Sequence, residues 1–165
     1  MNDRQTEITR DQLAANLNED LAREYQAIIG YVIYSQVIKG AQYMAVAKEL
    51  EVHAVEELQH ALLIAKQIDY LGGTPVAAPK PVRTSEKAEE MLRFDLDNEA
   101  ETIRNYRERV RQAESLGEYA VAEAIRHILA QEQEHLIDLA SALNIDVPQA
   151  ALAGKTGSVS PISKN

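Results

Sequence analysis

No cysteine occurs among the 165 residues. Disulfides, thiolate metal sites and cysteine nucleophiles are therefore excluded, and a reducing cytosol is permitted. Positive charge is also scarce, with 17 Lys and Arg against 26 Asp and Glu for a net charge of -9. Such a surface repels nucleic-acid phosphates and anionic lipid while favouring cations, so neither a nucleic-acid nor a membrane partner is expected. Long apolar runs are missing. The most apolar stretch, residues 27–38, is short and interrupted by Tyr31, Tyr34, Ser35 and Gln36, and residues 1–10 lack the apolar segment of a secretory signal. A soluble cytoplasmic protein is expected. With 45% hydrophobic and 26% charged residues, a chain of this length should form one compact domain.

Apolar residues recur at helical spacing in four long segments, separated by Gly or by a Pro-rich stretch. This predicts an all-α chain. The first helix is expected to run from a cap at Thr9 to about residue 39, and Gly40 marks a tight turn into a second that ends near Leu71, before Gly72 and Gly73. The third should begin after Thr84 or Ser85 and stop near Gly117, and the fourth should reach about Leu143, closed by Asn144. Each successive pair makes an antiparallel hairpin. Between the hairpins, residues 72–84 include Pro75, Pro79 and Pro81, and an extended chain at roughly 3.1 Å per residue would reach about 40 Å. A helix of about 30 residues is roughly 45 Å long, so the linker nearly traverses the bundle. That predicts a four-helix bundle of two antiparallel hairpins joined by one long crossover. Residues 1–8 are expected to form an N-terminal arm, 9–145 the bundle, and 146–165, rich in Gly, Ser, Pro and Ala, a flexible C-terminal tail.

The chain also repeats itself. Leu17, Leu21, Glu24, Ile28 and Tyr31 reappear 75 positions later as Leu92, Leu96, Glu99, Ile103 and Tyr106, and the same offset carries Glu57 and His60 onto Glu132 and His135. In each helix these Glu residues fall on the apolar stripe that faces other helices. Counted from the turns at Gly40 and Gly117, all four lie within about one helical turn of the same height. Each His follows its Glu by three residues, one turn along on the same face. Four ionised carboxylates buried together would cost several kcal/mol apiece, so most are protonated or cations sit among them. Two divalent ions balance four negative charges. Carboxylate oxygen with neutral imidazole suits iron, manganese or zinc, and Glu-x-x-His on two helices with single Glu residues on the other two is a known bundle solution for a carboxylate-bridged dimetal site. By chance the full set would arise on the order of once in a thousand chains.

Other residues near this constellation carry weaker signals. Tyr31 and Tyr106, each seven residues after a seam Glu, either hydrogen-bond the ligand carboxylates or pack in the core, and one of them is also placed to give up an electron in oxygen chemistry. His53 shares a face with Glu57 and is either a transit ligand or a packing residue. Glu56 and Gln131, directly before the motif Glu residues, are candidates to orient a His. His127 lies off the seam and is assigned no role.

The run Glu24, Glu57-Leu58-Gln59-His60, Glu99, Glu132-Gln133-Glu134-His135 resembles the ferritin-like superfamily, most closely its bacterioferritin branch, over roughly residues 10–145. Tyr31 and the segment from Met91 to Leu96 add to the likeness. The resemblance implies a ferroxidase with two iron ions per subunit: Glu24 and Glu99 as terminal ligands, Glu57 and Glu132 bridging, His60 and His135 giving one nitrogen per metal, and Tyr31 beside them. It further implies Fe(II) and O2 or H2O2 as reactants, iron storage and detoxification, and homo-oligomers in which dimers build a hollow cage. Bacterioferritins bind haem through a Met directly after the second motif Glu, where this chain has Leu58, so haem is not expected. They also end in a fifth helix, where this chain is expected to have a tail. Related Dps-like proteins carry the same motif in smaller shells, and a rubrerythrin-like peroxidase or manganese catalase-like enzyme is the alternative without storage. Thr102 stands where rubrerythrins would carry a further Glu.

Overall fold

The computed structural model describes residues 8–153. Among them the chain forms four long helices and one short one: α1 (Arg10–Val37), α2 (Met44–Tyr70), α3 (Ala88–Ser115), α4 (Tyr119–Ala142) and α5 (Gln149–Leu152). α1 packs along α2 and α3 along α4, giving two antiparallel hairpins that close on each other face to face. The bundle expected from the sequence is the one observed.

Local chemistry sets the ends of these helices. Thr9 opens α1 through a reciprocal capping box, its hydroxyl accepting from the Gln12 backbone while the Gln12 side chain accepts from the Thr9 N–H. Gly40 adopts φ +121° at the first hairpin turn, a conformation that L side chains resist. A 3₁₀ turn over Ala41–Tyr43 then leads into α2. α3 starts later than expected because the Ser85 hydroxyl accepts from the Lys87 N–H in a local turn, leaving the first helical residue at Ala88. Asn144, with φ 54°, closes α4 as expected.

The crossover runs along α1 instead of looping through solvent. Asn18 accepts from the Val76 N–H and donates to the Thr74 carbonyl, the Lys80 N–H donates to the Ala22 carbonyl, Gln26 donates to the Pro81 carbonyl, and the Tyr34 hydroxyl donates to the Arg83 carbonyl. These contacts climb from Asn18 to Tyr34, about 24 Å of helix at roughly 1.5 Å per residue. Backbone groups of an extended strand are thereby satisfied without a sheet.

Part of the segment expected as a flexible tail is docked. Residues 149–152 form one helical turn against α3, where Arg104 donates to the Ala151 carbonyl and Arg107 to the Leu152 carbonyl at 2.9 Å. Val147, Ala151 and Leu152 pack onto the core. A single turn is too short to show periodicity, so composition read it as tail. Residues 1–7 of the expected arm and 154–165 of the expected tail lie outside the described residues.

The core is divided. One apolar cluster gathers Leu13, Leu17, Leu21, Ile64, Ile68, Val121 and Ile125 at one end, and a second gathers Ile38, Leu50, Met91, Leu92, Leu96 and Leu139 at the other. Between them lies a layer of buried carboxylates and imidazoles. The apolar ends fix the helix heights, and the heights fix which polar side chains meet.

Candidate metal centre

All six residues singled out by the repeat point into this layer: Glu24 from α1, Glu57 and His60 from α2, Glu99 from α3, and Glu132 and His135 from α4, each at most 3% exposed. They form two overlapping groups. Glu24, Glu57, His60 and Glu132 offer ligand atoms within 4.8 Å of one another, as do Glu57, Glu99, Glu132 and His135. Glu57 and Glu132 belong to both. Both imidazoles aim Nδ1 at the carboxylates: His60 Nδ1 is 3.1 Å from Glu57 and 3.2 Å from Glu132, while His135 Nδ1 is 3.0 Å from Glu57 and 3.4 Å from Glu132.

The outward nitrogens are held by the opposite hairpin. His60 Nε2 lies 3.1 Å from the Gln131 side-chain oxygen, and His135 Nε2 lies 2.8 Å from Glu56. An imidazole that binds metal through one nitrogen needs its other N–H anchored in this way. The tyrosines are exchanged too. The Tyr31 hydroxyl donates to Glu99 and the Tyr106 hydroxyl to Glu24, so each carboxylate is held by the α1 or α3 of the other half. Burial, then the adjacent carboxylates, push both phenols well above their usual range and keep them as proton donors.

Charge in the layer follows a pattern. Burial, then repulsion by Glu57 and Glu132, pushes Glu24 and Glu99 well above the carboxylate range. Burial acts on Glu57 and Glu132 as well, but contacts to the two imidazoles outweigh it and hold both below their usual range. Desolvation alone would neutralise the imidazoles, yet the surrounding carboxylates overcome it, raising His60 strongly and His135 to about 10. Without metal, these shifts favour the ionised form of Glu57 and Glu132, the protonated form of Glu24 and Glu99, and protonated imidazoles. These protons supply the positive charge that the ionised pair requires.

The donor set fits metal ions. Both Glu132 oxygens and Glu24 Oε2 are buried without a hydrogen-bond partner, although the Glu132 oxygens lie within ion-pair range of the imidazoles. Unpartnered carboxylate oxygens in such a setting are costly unless a cation ligates them. The cluster is compatible with a dimetal site, its carboxylate and imidazole donors suiting iron, manganese or zinc.

A model of the ferritin-like domain matches residues 14–146. The chain belongs to the ferritin-like family. Among its relatives, a bacterioferritin from Brucella melitensis is 26% identical over 130 residues, covering 78% of this chain and 81% of its own. A ferritin-like diiron-carboxylate protein from Bacillus anthracis superposes with a TM-score of 0.78 at 34% identity, over 83% of this chain and all of its own. A dodecameric thioferritin described as the bacterioferritin-related protein of Bacteroides fragilis superposes at 0.77 with 31% identity, over 85% and 89% of the two chains.

Some features escaped the sequence reading. Asp95 is 2% exposed, its Oδ2 has no partner, and burial, then Glu57, pushes its carboxyl well above the usual range. The 75-residue offset pairs it with Asp20 and was the signal available; Asp20 instead meets Arg109 at 2.7 Å. His53 is buried and stacks on His135 with ring centroids 4.1 Å apart. Burial, then His135, pushes it below the usual imidazole range. His127 is exposed, as its place off the seam implied. No helix among the described residues is long and apolar enough to cross a membrane.

Proposed function

We propose that this protein is a ferroxidase that oxidises Fe(II) and stores the product, acting as an iron-detoxification protein in the cytoplasm. The observation that carries the reading is the pair of overlapping ligand groups sharing Glu57 and Glu132. On this reading Glu57 and Glu132 would be shared by two irons, Glu24 and Glu99 would each hold one, and the Nδ1 atoms of His60 and His135 would complete the set. Four carboxylates against two divalent ions leave no net charge, provided both imidazoles are neutral.

Two Fe(II) ions bound there give up one electron each, and O2 or H2O2 accepts the pair. The chain's own groups govern protons and geometry. Glu24 and Glu99 give up theirs as the ions arrive, and the imidazoles lose theirs from Nδ1 while keeping Nε2–H on Gln131 and Glu56. Tyr31 and Tyr106 fix the terminal carboxylates against rotation, so Tyr31 acts as a positioning residue for Glu99. The reading includes no haem, because Leu58, half-exposed on α2, has no atom that ligates iron. It includes self-association: α1 and α2 leave Ile29, Val32, Val52, Val55, Leu58 and Leu62 exposed, an apolar surface of the kind that marks contacts between proteins. The dodecamer formed by the Bacteroides fragilis relative supports assembly into a shell.

Aerobic Fe(II) addition to the metal-free protein, with iron per chain and particle mass measured together, tests the proposal. Rapid oxidation with loading far above two irons per chain in a large homo-oligomer is the expected result. Oxidation that stops at two irons per chain in a small oligomer would replace storage with a discrete dimetal redox enzyme. No oxidation at all would remove the ferroxidase.

A further inference from the structure

A second group of metal-binding side chains lies outside the central layer, at the surface between α2 and α4. His53 Nε2 is 3.2 Å from Asp138 Oδ2 and 3.8 Å from Glu49 Oε1, and one ligand atom from each of the three lies within 4.8 Å of the others. The ring is 2% exposed, whereas the two carboxylates are about half exposed, at 52% for Glu49 and 46% for Asp138. They edge a recess of about 550 Å³, also bordered by Gln42 and Ser141. Metal–donor bonds of roughly 2.0–2.2 Å put ligand atoms about 3 to 4 Å apart around one ion. The two spacings from His53 Nε2 already match.

The internal repeat supplies the independent argument. At the same offset that maps every member of the central layer onto its twin, Glu49, His53 and Asp138 map onto Ala124, Ile128 and Leu63. Ile128 is fully buried, so packing at this position is met by an aliphatic side chain. A recess on the other side, about 430 Å³, is bordered by Leu63, the twin of Asp138, and by His60, Lys66, His127 and Gln131, but by neither Ala124 nor Ile128, and no carboxylate lines it. Burying an imidazole where its twin is isoleucine costs desolvation, and its Nδ1 has no partner to offset that cost. The fold did not need His53. A ligand explains it.

We propose that Glu49, His53 and Asp138 form a third, mononuclear site for a divalent cation of the Fe(II), Co(II) or Zn(II) class. One nitrogen and two carboxylate oxygens select these ions over Mg(II) or Ca(II), which prefer all-oxygen shells. Open coordination positions face the recess, so water completes the shell and the ion exchanges with solvent. The site does not depend on the central layer binding metal. It meets that layer through the stacked rings of His53 and His135, through the edge contact of His53 with Tyr31, whose centroids are 5.3 Å apart, and beside Glu56, since one ligand atom each of His53, Glu56 and His135 lies within 4.8 Å of the others.

Titration of the metal-free full chain with Co(II) and with Zn(II), followed by anomalous scattering from Zn(II)-soaked crystals, tests the assignment. The expected result is one ion beside His53 Nε2 in addition to those in the layer, with the Glu49→Gln/Asp138→Asn variant losing that ion alone and binding there at least tenfold more weakly. His53→Ile, which copies the twin position, should do the same. Glu57→Gln/Glu132→Gln should keep the outer ion while disturbing the inner ones, which separates failure here from failure of the central site. Ions confined to the layer, or equal stoichiometry in wild type and the Glu49→Gln/Asp138→Asn variant, would overturn the proposal.

Discussion

Hairpin α1–α2 and hairpin α3–α4 carry matching residues where they face each other: Glu24 with Glu99, Glu57 with Glu132, His60 with His135, Tyr31 with Tyr106, and Asp20 with Asp95. Facing outward they part. The first leaves Ile29, Val32, Val52, Val55, Leu58 and Leu62 exposed. Along α3 the exposed positions include Arg93, Asp97, Arg107, Glu108, Arg111 and Glu114, no large hydrophobic side chain of that helix is exposed, and of those on α4 only Tyr119 and Ile137 are. The inner match shows what the layer requires, because every side chain of these pairs except Asp95 is used by the other hairpin. Tyr31 holds Glu99 and Tyr106 holds Glu24, while Glu56 and Gln131 hold the histidines of the opposite copy. A change on one side must suit the other. Outer surfaces are free of that coupling and have diverged into an apolar face and a solvated one.

The severest way to break the inner match is to delete one shared carboxylate. Glu57→Ala and Glu132→Ala should each slow Fe(II) oxidation by roughly 100-fold or more, beyond the loss expected for an outer partner of a ligand. Equal losses are expected because each residue belongs to both ligand groups. Stopped-flow absorbance gives the rates, and far-ultraviolet circular dichroism should show both variants still helical. A large loss in only one would mean that the two positions are not equivalent bridges.

The outer difference is broken by charging the apolar face. Val55→Lys with Leu62→Lys on α2 should reduce the assembly to small species by native mass spectrometry, whereas Glu108→Lys on α3 should leave it intact. Both α2 side chains are about 60% exposed, so neither substitution disturbs the interior of the chain. The reverse outcome would move the self-association surface to the other hairpin.

Proton release sharpens the comparison further. In the metal-free layer burial and neighbouring carboxylates push Glu24 and Glu99 well up, and the carboxylates raise His60 and His135 against their burial, so these four groups, two from each hairpin, favour their protonated forms. Loading with two Zn(II) should expel roughly four protons per chain, two from each half, measurable by pH-stat. Since these groups have raised values, the release should shrink as pH rises toward about 10, where His135 loses its proton unaided. Glu24→Gln should lower the count by one. An unchanged count in that variant would place the proton elsewhere.

How much of this was legible in the sequence depends on the distance between partners along the chain. The helices and the buried layer of Glu and His were legible because periodicity and the Glu-x-x-His spacing are local, and because the repeat wrote them twice. Exchange of Tyr31 and Tyr106 between the halves was not, since spacing gives a residue's height and face but not which neighbouring helix it reaches. The same holds for Glu56 and Gln131, whose positions suggested a role in orienting a histidine without saying which one. α5 escaped because its anchors, Arg104 and Arg107, lie more than 40 positions away. Asp95 escaped because a buried carboxyl with an unpartnered oxygen leaves no pattern beyond its match to Asp20.

Beside the ligand groups the inner match breaks at Glu56 against Gln131, and this break sets the smallest expected effect. A carboxylate accepting from His135 Nε2–H makes the ring's other nitrogen a stronger donor than an amide oxygen does for His60. The α4 half of the site should therefore bind its ion more tightly. Gln131→Glu should tighten the weaker of two Zn(II) affinities by about three- to tenfold, and Glu56→Gln should weaken the stronger by a similar factor, an order set by the known reach of such outer partners. The double exchange should restore two unequal affinities with the halves reversed. Competitive Zn(II) titration against a fluorescent chelator resolves steps of this size. If both single variants shifted the same step, the two histidines would be acting on one ion, and the division of the layer into two half-sites would have to be redrawn.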